Sequence, residues 1–130
     1  NTIIIKVSEK PSKIMNSHKD LKVWQKSMEF VVVIYTMTKN FPKEEQFGIV
    51  PQMRRAAISI PSNIAEGYGR VYGKETIKFL SNALGSASEL ETQIIISKDL
   101  GFISTDCLKQ LLDQIEEIIR MLSALIKSIG

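Results

Sequence analysis

Apolar residues recur in steps of three and four through four stretches of this chain, the period of a helix with one buried face. The first stretch predicts a helix over residues 19–39, with Leu21, Trp24, Met28, Val31, Tyr35 and Thr38 on one face. Ser17 and Asp20, three residues apart, fit an N-terminal cap pair. Asn40 and Pro42 fit its end, since asparagine tolerates a left-handed cap and proline cannot continue the hydrogen-bond ladder. The second helix is expected over 51–68, with Pro51 in the first turn and Met53, Ala56, Ala57, Ile60 and Ile64 as its stripe. Pro61 lies inside it, removes the bond to the Ala57 carbonyl and predicts a kink. The third is expected over 74–100, with Ile77, Leu80, Leu84, Ala87, Leu90 and Ile94 as its stripe and Gly101 as its stop. Its middle, Ser81 to Ser88, is rich in serine, alanine and glycine and permits close approach of a neighbour.

The fourth helix is expected over 105–128, capped by Ser104 with Asp106 near the positive end of the dipole. Leu108, Leu111, Ile115, Ile118, Leu122, Leu125 and Ile129 keep the three-four alternation, and Leu112, Ile119 and Ile126 add a second stripe seven residues apart. A bundle helix needs one apolar face about 100° wide. The surplus makes Leu112, Ile119 and Ile126 candidates for contact with another subunit; the alternative is a deeply buried helix in a monomer. The links at 40–50, 69–73 and 101–104 are short enough for antiparallel neighbours. The fold class is therefore all-α, an antiparallel four-helix bundle over residues 17–130. Residues 1–16 form an extension in which Thr2 to Val7 reads as an extended arm, and Met15 is the expected natural start.

Length and composition add bounds. A chain of 130 residues favours one domain, large enough to fold without a disulfide or metal staple. No apolar run approaches the roughly 20 residues that cross a bilayer, and the single cysteine fits a reducing compartment, so no membrane partner and a cytoplasmic location are expected. The net charge of +3 is mild but unevenly spread. Residues 1–26 hold six lysines against Glu9 and Asp20, a balance of +4, while residues 81–130 balance at −3. Such polarity suits an anionic partner at one face, head-to-tail self-association, or an ordinary solvated surface.

Catalytic chemistry is not visible. His18 is the single histidine, so the paired Glu-x-x-His motifs of helical di-iron sites cannot be built. Gly67, Gly69 and Gly73 are spaced one residue too long for a dinucleotide fingerprint and follow a helix where a strand is required. Cys107 sits in the first turn of the fourth helix, which can lower a thiol pKa; burial is the alternative reading. Glu66, Glu89 and Glu91 lack a histidine companion for a carboxylate cluster. No catalytic residue, metal or cofactor is expected.

Several blocks resemble a known bacterial family. They are Asp20-Leu21-Lys22-Val23-Trp24-Gln25-Lys26; Phe41-Pro42 with Glu45, Phe47 and Gly48; the long run from Gln52 to Gly67, QMRRAAISIPSNIAEG; and Phe79-Leu80 with Ser86, Glu89-Leu90-Glu91-Thr92 and Leu100-Gly101. The chain is similar to the four-helix bundle proteins encoded in intervening sequences of large-subunit (23S) ribosomal RNA genes, with the first fourteen residues outside the match. The resemblance implies an up-down-up-down bundle assembled as a homopentamer. It also implies kinship with the accessory proteins of diversity-generating retroelements, basic pentamers that bind nucleic acid and a reverse transcriptase. It transfers no catalytic residue.

Within the long run, Arg55, Ser59, Asn63, Glu66 and Arg70 recur as a polar stripe opposite the apolar one. One reading makes Ser59, Asn63 and Glu66 a structural hydrogen-bond network. The other makes Arg54, Arg55 and Arg70 a surface for phosphates or a partner. Lys19, Lys22 and Lys26 on the first helix, with Lys74 and Lys78 on the third, complete the nucleic-acid-binding candidates. RNA is favoured over DNA. A scaffold that holds a protein partner, such as a polymerase, without touching nucleic acid is the alternative.

Overall fold

The structure, a computed structural model, describes residues 17–69 and 74–130. It contains four helices: α1 Lys22–Thr38, α2 Ile49–Tyr68, α3 Lys74–Asp99 and α4 Thr105–Ile129. No strand occurs among the described residues. Helix α2 packs along α3, α3 along α4 and α1 along α2, while α1 meets α4 over a shorter span. The four therefore form a closed square, with the α1–α2 seam and the α3–α4 seam on opposite sides. The expected extended arm and the Met15 start lie outside the described residues.

Helix starts and stops follow local chemistry, with two departures. The Ser17 hydroxyl accepts from the Lys19 amide, but it caps a separate 3-10 turn, His18–Asp20, and not α1 itself. Asn40 does not take a left-handed conformation; among the described residues none other than glycine has positive φ. The chain instead tightens through amide bonds from Asn40 to Met37 and from Phe41 to Thr38 before Pro42. Helix α2 begins at Ile49, so Pro51 is its third residue, still within the turn whose N–H groups have no helical partner. The helix continues through Pro61, which is buried. At the end of α3, Gly101 has φ 82° and Phe102 donates to the Ser97 carbonyl, a closure that glycine permits without a Cβ clash. Ser104 caps α4 by accepting from the Cys107 amide at 3.1 Å.

The core is built from the predicted stripes of α2, α3 and α4. Met53, Ile60 and Ile64, then Leu80, Leu90 and Ile94, then Ile115, Ile118 and Leu122 are all at most 1% exposed. Each such side chain contributes roughly 1.5–3 kcal/mol of transfer free energy. Helix α1 departs from expectation: Val23, Ser27, Phe30, Ile34 and Thr38 face the core. The expected stripe Trp24, Met28, Val31 and Tyr35 is turned to the flank, with Met28 44% exposed. Ser27 and Thr38 tolerate burial because their hydroxyls donate to the Val23 and Ile34 carbonyls at 2.7 and 2.8 Å.

Candidate functional site

The run from Gln52 to Gly67 forms most of α2, which touches both α1 and α3 and so presents two seams. Along the α2–α3 seam, Ser59 Oγ lies 2.9 Å from Ser86 Oγ. Asn63 Nδ2 donates to the Ser59 carbonyl at 2.9 Å and to its hydroxyl at 3.0 Å. This polar clasp ties two helices whose facing residues are small. Glu66 is exposed on the same helix. In the sequence Ser86 belongs to a small-residue stretch and to one of the family blocks, but nothing local marks which serine meets Ser59. Toward the start of α2 the seam opens into a hollow of about 480 Å³ bordered by Gln52, Arg55 and Glu89.

The α1–α2 seam is largely apolar, with Arg54 and Arg55 lining one part of it. One hollow, about 340 Å³, lies between Trp24, Met28, Ile58 and Pro61, with His18 at its edge. The His18 and Trp24 rings meet edge-on with centroids 5.2 Å apart. A second hollow, about 350 Å³, shares Ile58 and is lined by Tyr35, Val50, Arg54 and Arg55. Neither hollow is lined by a carboxylate.

The arginine pair divides its work. Arg54 Nε donates to Thr38 Oγ1 at 2.9 Å and Nη2 to the Tyr35 carbonyl at 3.3 Å. Its guanidinium also stands 4.5 Å from the Tyr35 ring centroid, within cation–π range. Arg54 is thus a strut between α1 and α2. Arg55 is exposed and makes no hydrogen bond or ion pair to another described residue.

Antiparallel packing brings the start of α1, the end of α2, the start of α3 and the end of α4 to one end of the bundle. Lys19, Lys22 and Lys78 are exposed there. Lys78 Nζ lies 5.9 Å from the Phe79 ring centroid. Lys26, a turn farther along α1, pairs with Glu117 of α4 at 3.4 Å. Lys74 is the first residue of α3, and Arg70 lies outside the described residues.

The carboxylates Glu66, Glu89 and Glu91 are not brought together. Glu89 borders the α2–α3 hollow and accepts from Gln93 Nε2 at 3.3 Å. Glu91, two residues on, faces the other way and meets Glu116 of α4; burial, and then the Glu116 carboxylate and its hydrogen bond, push Glu91 above the usual carboxylate range. Among the described residues no group of three or more His, Cys, Asp and Glu side chains is placed to hold a metal. Partial burial pushes the Cys107 thiol up, so desolvation outweighs its place in the first turn of α4. Leu112, Ile119 and Ile126 are half-buried and packed against the core. The large apolar side chains most open to solvent lie elsewhere, including Val32, Phe47 and Leu100. No helix among the described residues is long and apolar enough to cross a membrane.

The sequence profile of the family described as 23S rRNA-intervening sequence protein matches residues 19–124. No curated protein matches the chain. Among solved structures the chain is similar to a protein with unknown function from the S23 ribosomal protein family of Bacteroides thetaiotaomicron VPI-5482. That similarity is 26% identity with a TM-score of 0.75, covering 81% of this chain and 95% of the other.

Proposed function

The chain belongs to the 23S rRNA-intervening sequence protein family, and from that premise we propose that it is a non-enzymatic, self-associating bundle of the cytoplasm that binds nucleic acid, structured RNA in particular. The observation that carries this reading is the convergence of Lys19, Lys22 and Lys78, from separate parts of the sequence, on one end of the bundle. Lysines of α1 and α3 exposed at one end can contact phosphates of a folded RNA through shape and charge, with no base-reading motif required. Self-association, as the homopentamer that the family resemblance implies, multiplies this patch and turns a mild protomer charge into a strong local field.

Phosphate contacts release counterions, so affinity must fall steeply with salt, by about 10³-fold or more between 50 and 200 mM for six or more contacts. The test is a titration of the full chain against labelled structured RNA and duplex DNA at both salt concentrations. Replacing Lys19, Lys22 and Lys78 together by glutamine is expected to flatten the salt dependence by about one unit of slope per lost contact in each protomer. Lys26 is expected to contribute less, because Glu117 already neutralises it. Absence of binding at low salt would overturn the nucleic-acid reading in favour of a protein scaffold.

A further inference from the structure

The α1–α2 and α3–α4 seams lie on opposite sides of the bundle and have complementary chemistry. The α1–α2 seam offers two apolar hollows joined at Ile58, an exposed Arg55 without a described partner, and no lining carboxylate. The α3–α4 seam carries the Glu91–Glu116 pair. One turn on from Glu91 is Ile95, 42% exposed, and one turn to either side of Glu116 on α4 are half-buried Leu112 and Ile119. The second seam is thus an acidic pair set in an apolar ridge.

The spacings agree as well. Along α2 the hollows are centred near residues 54 and 62, about two turns or roughly 12 Å apart. Leu112 and Ile119, seven residues apart on α4, are separated by roughly 10 Å, with Glu116 between them. On α2, Arg55 lines the first of the two hollows. Two carboxyls held side by side repel when ionised, and a guanidinium set against them relieves that repulsion.

We propose that the α3–α4 ridge of one copy of this chain seats in the α1–α2 groove of the next, Leu112 and Ile119 entering the two hollows and the Glu91–Glu116 pair facing Arg55. This rests on the self-association reading above and names its surfaces. The contact is head-to-tail: each copy keeps one free groove and one free ridge, so assembly continues until a ring closes or a filament grows.

The test is light scattering and sedimentation of the full chain over a concentration series, with circular dichroism melts to verify folding. Arg55→Glu reverses the groove and Glu116→Arg reverses the ridge. Each alone is expected to weaken association at least tenfold. Carrying both reversals in one chain is expected to restore it, because every reversed groove then meets a reversed ridge whatever the number of copies in the ring. Ile58→Asp, at an exposed position shared by both hollows, is expected to give a folded monomer. A monomeric wild-type chain would overturn the self-association reading itself. A wild-type oligomer indifferent to all three substitutions would leave that reading standing and overturn this interface. Loss of RNA binding in Arg55→Glu without loss of association would give the groove to nucleic acid and overturn the proposal equally.

Discussion

Gly67 and Gly85 are both helical glycines, yet their surroundings assign opposite consequences to the same methyl group. A Cβ at Gly67 would stand 3.1 Å from Phe79 Cβ and 3.3 Å from the Thr76 carbonyl oxygen. Those atoms belong to the main chain or its first carbon and cannot rotate away, so α2 and α3 would have to separate. Gly67→Ala is expected to destabilise by about 1–3 kcal/mol in urea unfolding despite alanine's better helix propensity. A Cβ at Gly85 meets nothing within 4 Å, and Gly85→Ala is expected to stabilise by about 0.5–1 kcal/mol. Arg54 makes a comparable point about charge. Its hydrogen bonds to Thr38 and Tyr35 and its stacking on the Tyr35 ring make it structural. Arg54→Ala is expected to cost about 2 kcal/mol of stability by urea denaturation.

At the scale of elements, the seam between α3 and α4 stores a like-charge contact. Glu91 binds its proton more tightly in the fold than in the unfolded chain, because burial and Glu116 disfavour the anion. The contribution is therefore fully present below the ordinary carboxylate range and is lost as pH rises through the elevated folded-state value. Glu91→Gln removes that loss. The melting temperature of the variant relative to the wild type is expected to be higher at pH 7 than at pH 4, with the gap narrowing in high salt. An unchanged difference across that range would show that Glu116 does not act on Glu91. Helix α1 shows how a wide apolar arc is resolved. Two stripes compete for the core, and Phe30 and Ile34 take it while Trp24 and Met28 become groove walls.

For the whole molecule, the antiparallel square decides which charges share a surface. It gathers exposed lysines of α1 and α3 at one end. It also places the hollow lined by Arg55 and the Glu91–Glu116 pair on opposite sides. The two proposals assign these surfaces different tasks, phosphate contact at the end and self-contact across the sides. The glutamine substitutions at Lys19, Lys22 and Lys78 and the charge reversals at Arg55 and Glu116 are expected to separate these tasks: the first set alters RNA affinity without changing mass, and the second alters mass.

The sequence alone determined the helices, their order and three of four core stripes, because a 3.6-residue period is written locally in residue spacing. It also determined family membership, through the run from Gln52 to Gly67 that the family match spans, and the Ser104 cap and Gly101 stop, which are chemistry within a few residues. Tertiary structure alone decided which stripe of α1 faces inward, since that depends on the width of space left by α2 and α4. It decided that Arg54 is a strut while Arg55 is open, although the two are adjacent, because successive helical positions point about 100° apart. It decided that Ser59 meets Ser86, twenty-seven residues away, and that Glu91 meets Glu116 of α4 while Glu89 faces α2. Each of these is a relation between helices, and no spacing along one helix encodes what stands across from it.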